Sequence, residues 1–263
     1  MAGTVQQIRF TRSLKSQRVF SHVDEAHFQS ADGARTYLIQ VGVPKAEIFP
    51  KPDAGYPVLF MLDGNAVFDE LMQFLPERLP PAVIVGVGYD ESMCDVVESR
   101  SVDYTPPIAG VEDLRDPRVP SRRAGGADLF LDILQNELLP VVAERYFVNL
   151  DKRIFYGHSY GGLCVLHALF TRPGLFKHWI SISPSVWWHD HYINQELQNF
   201  MQRPLLSQEA SLLLMVGNHE QLRQRQEETV GIPTLGWGKS LAEQLKKRPD
   251  LNICLGLRKL RVY

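Results

Sequence analysis

The sequence predicts an α/β fold: a mostly parallel central sheet with helices on both faces. Three observations carry that expectation. Residues 57–62, 82–87 and 211–216 are short, continuous apolar runs, as expected of strands buried on both sides. Segments between such runs carry apolar residues at helical spacing, most clearly Leu129, Ile133, Leu134, Leu138, Val141 and Val142. Finally, residues 153–156 run directly into Gly157-His158-Ser159-Tyr160-Gly161, and the apolar residues 163–170 follow at once. Strands that alternate with helices along a chain pair in parallel and are covered by those helices.

Length and composition fit one domain over residues 1–263, with 44% hydrophobic and 22% charged residues. A formal net charge of −2 gives no sign of a nucleic acid or membrane partner. Cys94, Cys164 and Cys254 have no metal-like spacing, so neither metal nor other cofactor is expected; Cys164 and Cys254 read as core thiols. The first residues lack the apolar stretch of a signal peptide, and no run reaches the roughly 18 apolar residues of a membrane span. A cytoplasmic location is expected.

In order, residues 19–43 read as two strands turned at Asp32-Gly33, and residues 44–57, rich in proline, as a surface loop. The strand at 57–62 ends in Asp63-Gly64-Asn65, which opens a helix from Ala66 to about Phe74. The strand at 82–87 follows. Residues from about 90 to 126 break the pattern: Arg100, Arg115, Arg118, Arg122 and Arg123 stand among prolines with little periodicity, as in a lid or binding-loop insertion. Residues 127–145 then read as one helix with Pro140 as an irregularity. After Gly161 come a strand at 178–183, a loop with Trp187-Trp188, and a helix at 193–201. A strand at 211–216, a helix beginning near Lys239 and a last strand at 251–257 complete the chain.

Glycine-x-serine-x-glycine between a strand and a helix is a nucleophile elbow, which lifts the serine hydroxyl above the sheet at a helix N-terminus. Ser159 is therefore the candidate nucleophile. The residues two before and two after it must be small for strand and helix to approach. A serine needs a base, and in this arrangement an acid follows the strand two beyond the nucleophile. Glu220 fills that place. A histidine should follow the last strand, but the last histidine is His219. His219, His189 and His191 are substitutes for the base, whereas His158 beside the nucleophile reads as structural, and His167 and His178 as core or rim. The backbone N–H groups of Tyr160 and Asn65 are the expected oxyanion donors.

The segments 61–68, Asp103-Tyr104-Thr105-Pro106, Tyr156-Gly157-His158-Ser159-Tyr160-Gly161-Gly162 and Ser183-Pro184-Ser185 together resemble the putative-esterase family of α/β-hydrolases, nearest the siderophore trilactone esterases. The likeness spans about residues 19–253. It implies an α/β-hydrolase fold and a serine ester hydrolase without a cofactor, acting on a small-molecule ester, a ferric catecholate siderophore in the siderophore subgroup. It implies that Arg100, in the neighbourhood of the arginine preceding the Asp-Tyr-Thr-Pro motif, holds the anionic catecholate. Trp187 and Trp188 would either wall the catechol rings or form a buried tryptophan pair. The family's C-terminal histidine segment has no counterpart here, which suggests a truncated or frameshifted copy with weak or no activity. Two other functions stay open: a general carboxylesterase or acyltransferase on small esters, and a non-catalytic binder of ferric catecholates.

Overall fold

The structure is a computed structural model and describes residues 8–13, 20–30, 33, 35–74, 81–217 and 234–258. The strands are β1 (Thr11–Ser13), β2 (Phe20–Gln29), β3 (Thr36–Pro44), β4 (Tyr56–Leu62), β5 (Val83–Tyr89), β6 (Val148–His158), β7 (His178–Ile182), β8 (Ala210–Gly217) and β9 (Leu251–Arg258). They form one sheet in the order β1-β2-β3-β5-β4-β6-β7-β8-β9. β1, β2, β3 and β5 pair antiparallel, and from β5 onward every pair is parallel. Every residue of β5 is buried, which is why its sequence is apolar without alternation. The chain leaves β4 for β5 on one side and returns to β6 on the other. That reversal opens a crevice at the carboxyl ends of β4 and β6, where Asp63 and Ser159 lie.

The larger core lies on one face of the sheet. There α3 (Ala127–Ile133), α4 (Leu139–Arg145), α5 (Tyr160–Thr171), α7 (Ile193–Gln202) and α8 (Thr234–Leu245) pack on Phe155, Trp179 and Leu214. On the opposite face α1 (Gly64–Phe74) places Phe68 against Met61, Ile84 and Val23. Beyond α1 on that face, the laterally paired residues Tyr156, Ile180 and Leu213 are half-buried, as are Ile182 and Met215. Cys254 pairs with Leu213 on the edge strand β9 and is exposed. It is therefore not the core thiol expected from its apolar surroundings; Cys164 is. Among the described residues no helix is long and apolar enough to cross a membrane.

The expected helix at 127–145 is divided. A π-helical turn, Leu134–Leu138, joins α3 to α4, and Leu139 N–H bonds back to the carbonyl of Leu134. Pro140 follows directly, a residue with no N–H to give to a regular helical ladder. The last helix begins at Thr234, earlier than Lys239.

The segment expected as an irregular insertion contains a helix, α2 (Val96–Asp103), capped by Asp95, whose carboxylate accepts from Val97 N and Glu98 N. The Asp-Tyr-Thr-Pro motif that ends α2 is architectural. Asp103 is fully buried and accepts from the hydroxyls of Tyr37 (2.8 Å) and Tyr89 (3.1 Å), and it pairs with Arg35 at 2.9 Å. Thr105 closes the loop that follows: its hydroxyl donates to Ser101 O (2.6 Å) and accepts from Gly125 N (2.8 Å).

Three helices are tied by His167, on α5 and 1% exposed. Its Nδ1 is 2.8 Å from Glu196 Oε1 on α7, and its Nε2 is 3.3 Å from Asp128 Oδ1 on α3. Burial alone would lower the imidazole pKa, but the hydrogen bonds and charges of Asp128 and Glu196 outweigh it and raise the pKa from 6.5 to about 9. The stabilisation is therefore fully present below pH 6.5 and is lost as pH rises through 9. At about 1.4 kcal/mol per pKa unit it amounts to roughly 3 kcal/mol. Denaturant melts at pH 6 and pH 9.5 should differ by about that amount, and His167→Gln should remove the difference.

Candidate active site

Ser159 stands between β6 and α5 with φ 57° and ψ −116°, a left-handed conformation that a non-glycine residue holds only under constraint. The constraint is a set of backbone bonds. Ser159 N donates to Ile182 O (3.0 Å), and Ser159 O accepts from Leu163 N (3.0 Å) and Ser185 N (3.1 Å). A Cβ at Gly157 would collide with the backbone of Gly161, so only glycine fits there. The second tight position is Gly162, where a Cβ would stand 2.8 Å from Ile182 O. At Gly161 itself a Cβ would meet Leu62 at an ordinary 3.4 Å, so the requirement for smallness two residues past the serine falls one position later than the motif suggests.

Two further strand ends adopt the same handedness. Asp63 after β4 has φ 60° and Ser183 after β7 has φ 43°. Ser183 N donates to Met215 O (2.8 Å), which ties the turn after β7 to β8. This turn brings Ser185 Oγ to 3.2 Å from Ser159 Oγ. Ser185 was quoted as part of a motif, yet its place at the nucleophile needs the turn geometry and was not anticipated.

The expected oxyanion donors sit at two helix starts. Tyr160 is the first residue of α5, whose N-terminus has no side-chain cap, so its positive end is left for a ligand oxygen. Asn65 is the second residue of α1, and its side chain is locked: Oδ1 accepts from Tyr89 N (3.3 Å) and Nδ2 donates to Glu91 Oε1 (2.9 Å). Gly88 lets this loop approach β5, since a Cβ there would overlap Asn65.

Arg100 is near the crevice but already engaged. Its Nε and Nη2 bond Asp63 Oδ1 (2.5 Å) and Oδ2 (3.0 Å), a bidentate pair. Burial opposes the guanidinium charge, but the hydrogen bonds and charge of Asp63 outweigh it and hold the Arg100 pKa above its ordinary value. Asp63 N donates to the Tyr104 hydroxyl (3.3 Å), so α2 grips the oxyanion loop twice. Arg100, Asn65 and His158 line one cavity of about 470 Å³. His158, expected to be structural, is exposed there.

Trp187 and Trp188 do not form a common wall. Trp188 is 1% exposed and belongs to the core, with its ring edge-on to Tyr192. Trp187 is half-buried beside the Tyr160 ring, with centroids 5.8 Å apart. The Arg118 guanidinium lies over it at 3.5 Å from the ring centroid. The Tyr160 hydroxyl donates to Asp116 Oδ2 (2.8 Å), which is also 3.2 Å from Ser101 Oγ. Burial and the Asp116 carboxylate raise the Tyr160 pKa far above its ordinary value, so the phenol stays a donor. Nothing local marks Asp116 or Arg118; their partners are distant in sequence.

Among the described residues, no histidine is hydrogen-bonded to Ser159. His189 Nε2 meets Arg115 O at 2.8 Å, within a short turn, α6 (Trp188–His191), whose residues His189, Asp190 and His191 all have positive φ. His178 Nδ1 meets Ser211 Oγ (2.7 Å) at the other end of the sheet. Glu220 and His219 lie outside the described residues.

A mostly parallel sheet with a serine in a strained turn after its central strand, before an uncapped helix, is the arrangement of the α/β-hydrolase class. The chain belongs to the family described as "Putative esterase", whose model matches residues 34–249. It is 39% identical over 173 residues to the apo-salmochelin esterase of Escherichia coli, covering 64% of this chain and 52% of that protein. It is 36% identical over 208 residues to the siderophore triacetylfusarinine C esterase of Aspergillus fumigatus, covering 75% and 68%. The chain thus spans about half the length of the first of these relatives. Among solved structures it resembles the BES protein from Bacillus cereus, with a TM-score of 0.75, 26% identity, and 95% and 92% of the two chains covered.

Proposed function

We propose that the chain hydrolyses siderophore-type esters, catecholate trilactones being the substrate class, with Ser159 as nucleophile. The observation that carries this is the Ser159 backbone, held left-handed at the mouth of an uncapped helix. A base takes the Ser159 proton as Oγ attacks the ester carbonyl. The N–H groups of Tyr160 and Asn65 receive the oxyanion, the alkoxide leaves with a proton, and water releases the acyl group. His219 is assigned as the base and Glu220 as its acid partner. In the sequence both come directly after β8, a strand whose carboxyl end is the end of the parallel sheet that carries Ser159. Cys94, Cys164 and Cys254 are free thiols, in keeping with work in the cytoplasm, where iron-loaded siderophores would be opened.

The test offers a catecholate trilactone and a short neutral aryl ester, with products read by mass spectrometry. Ring-opened acid from the trilactone, at a kcat/KM at least about tenfold above the neutral ester, is the expected result. Equal rates would point to a general esterase. Tight binding without turnover would favour a non-catalytic binder, a reading prompted by the lack of a histidine bonded to Ser159 among the described residues.

A further inference from the structure

Arg100 has its fork filled by Asp63, and the insertion offers a better placed cation. Arg115 pairs with Asp113 and Arg123 with Glu98. Neither Arg118 nor Arg122 has a carboxylate within 4 Å among the described residues, and of the two it is Arg118 that is exposed and lies on the face of Trp187. The Arg118 backbone is fixed. Arg118 N donates to Asp116 Oδ1 (2.9 Å), while the other oxygen of that buried carboxylate holds Tyr160, the residue after the nucleophile. Trp187 is two residues from Ser185, whose hydroxyl touches Ser159. One carboxylate and one indole therefore position the Arg118 guanidinium on Trp187, whose ring lies 5.8 Å from that of Tyr160, the residue after the nucleophile.

We propose that Arg118, stacked on Trp187, is the specificity residue that selects the anionic, metal-loaded form of an aromatic ester over its neutral form. A guanidinium lying on an aromatic ring keeps its N–H edge free for anionic oxygens, and its outer face can take a second planar ring. A trilactone with three catechols is near neutral when iron-free, because phenolic protons stay on at pH 7. Fe(III) displaces those protons, and the complex is anionic. Arg100 acts instead through Asp63, holding the oxyanion loop. This inference rests on the substrate class proposed above.

The experiment uses the full chain with Ser159→Ala, so that ligand is bound without being consumed. Calorimetry compares the ferric and iron-free forms of a 2,3-dihydroxybenzoyl-serine trilactone, with near-ultraviolet circular dichroism to verify the fold of each variant. The expected result is a preference for the ferric form of at least about tenfold, reduced to within about threefold by Arg118→Gln and partly kept by Arg118→Lys. Arg100→Gln should leave the ratio in place. A preference that survives Arg118→Gln, or that disappears with Arg100→Gln instead, overturns the assignment. Equal affinity for both forms removes the subsite but leaves the esterase proposal standing. Failure to bind either form removes both.

Discussion

Ser159→Ala is expected to lower kcat/KM by about 10⁴–10⁶-fold while the protein stays folded. The loss is large because the hydroxyl is the bond-forming group, and oxyanion donors and binding alone retain only a modest residual rate. The fold survives because the turn is held by backbone bonds to Ile182, Leu163 and Ser185, none of which needs the hydroxyl. The side chain's hydrogen bond among the described residues is the one to Ser185. Fluorophosphonate labelling followed by peptide mapping reports the same chemistry directly. The wild-type chain should label at Ser159 and His219→Ala should label far more slowly. A folded wild-type protein that refuses the label would mean the hydroxyl is not activated, and the binding alternative would take its place. Full labelling of His219→Ala would move the base to another residue.

Asp103→Ala should be the most destabilising single change in the insertion, by about 3–5 kcal/mol. It removes the carboxylate that pairs with the Arg35 guanidinium at 6% exposure and accepts from the buried hydroxyls of Tyr37 and Tyr89, leaving Tyr89 the longer bond to Ser99 O (3.5 Å). For a chain of this size that is a drop of roughly 5–10 °C in Tm. Asp103→Asn keeps an acceptor and should lose less. Thermal melts of both variants test the point, and an unchanged Tm for Asp103→Ala would show that the hub is not what anchors α2.

The sheet was legible because buried parallel strands write themselves as apolar runs, as in β4, β5 and β8. The elbow was legible because Gly157 is demanded by a contact with Gly161 inside one strand–turn–helix unit, whereas the need for Gly162 comes from β7. Other features depend on pairs far apart in the chain. Asp116 meets Tyr160 and Arg118 meets Trp187, and neither partner announces the other. Arg100 lines the cavity beside Asn65 and His158, but its engagement by Asp63 needed the fold. Cys254 was misjudged because apolar neighbours in sequence do not say which side of an element is covered, and of the two readings open for the tryptophans Trp188 took the buried one. Asp95 with Glu98 three residues later was a readable helix start that the arginines and prolines around it concealed.

Thr105 binds the loop at both ends, to Ser101 before it and Gly125 after it. Residues 106–124 thus hang from a closed ring, and changes of length or composition within them need not disturb the sheet or the elbow so long as Leu114 keeps its place in the core and Asp116 its bond to Tyr160. The segment is in effect a cassette. Transplanting it between relatives, cut at Thr105 and Gly125, is a route to exchanging ligand preference while the hydrolytic apparatus is inherited unchanged, and evolution could use the same two joints.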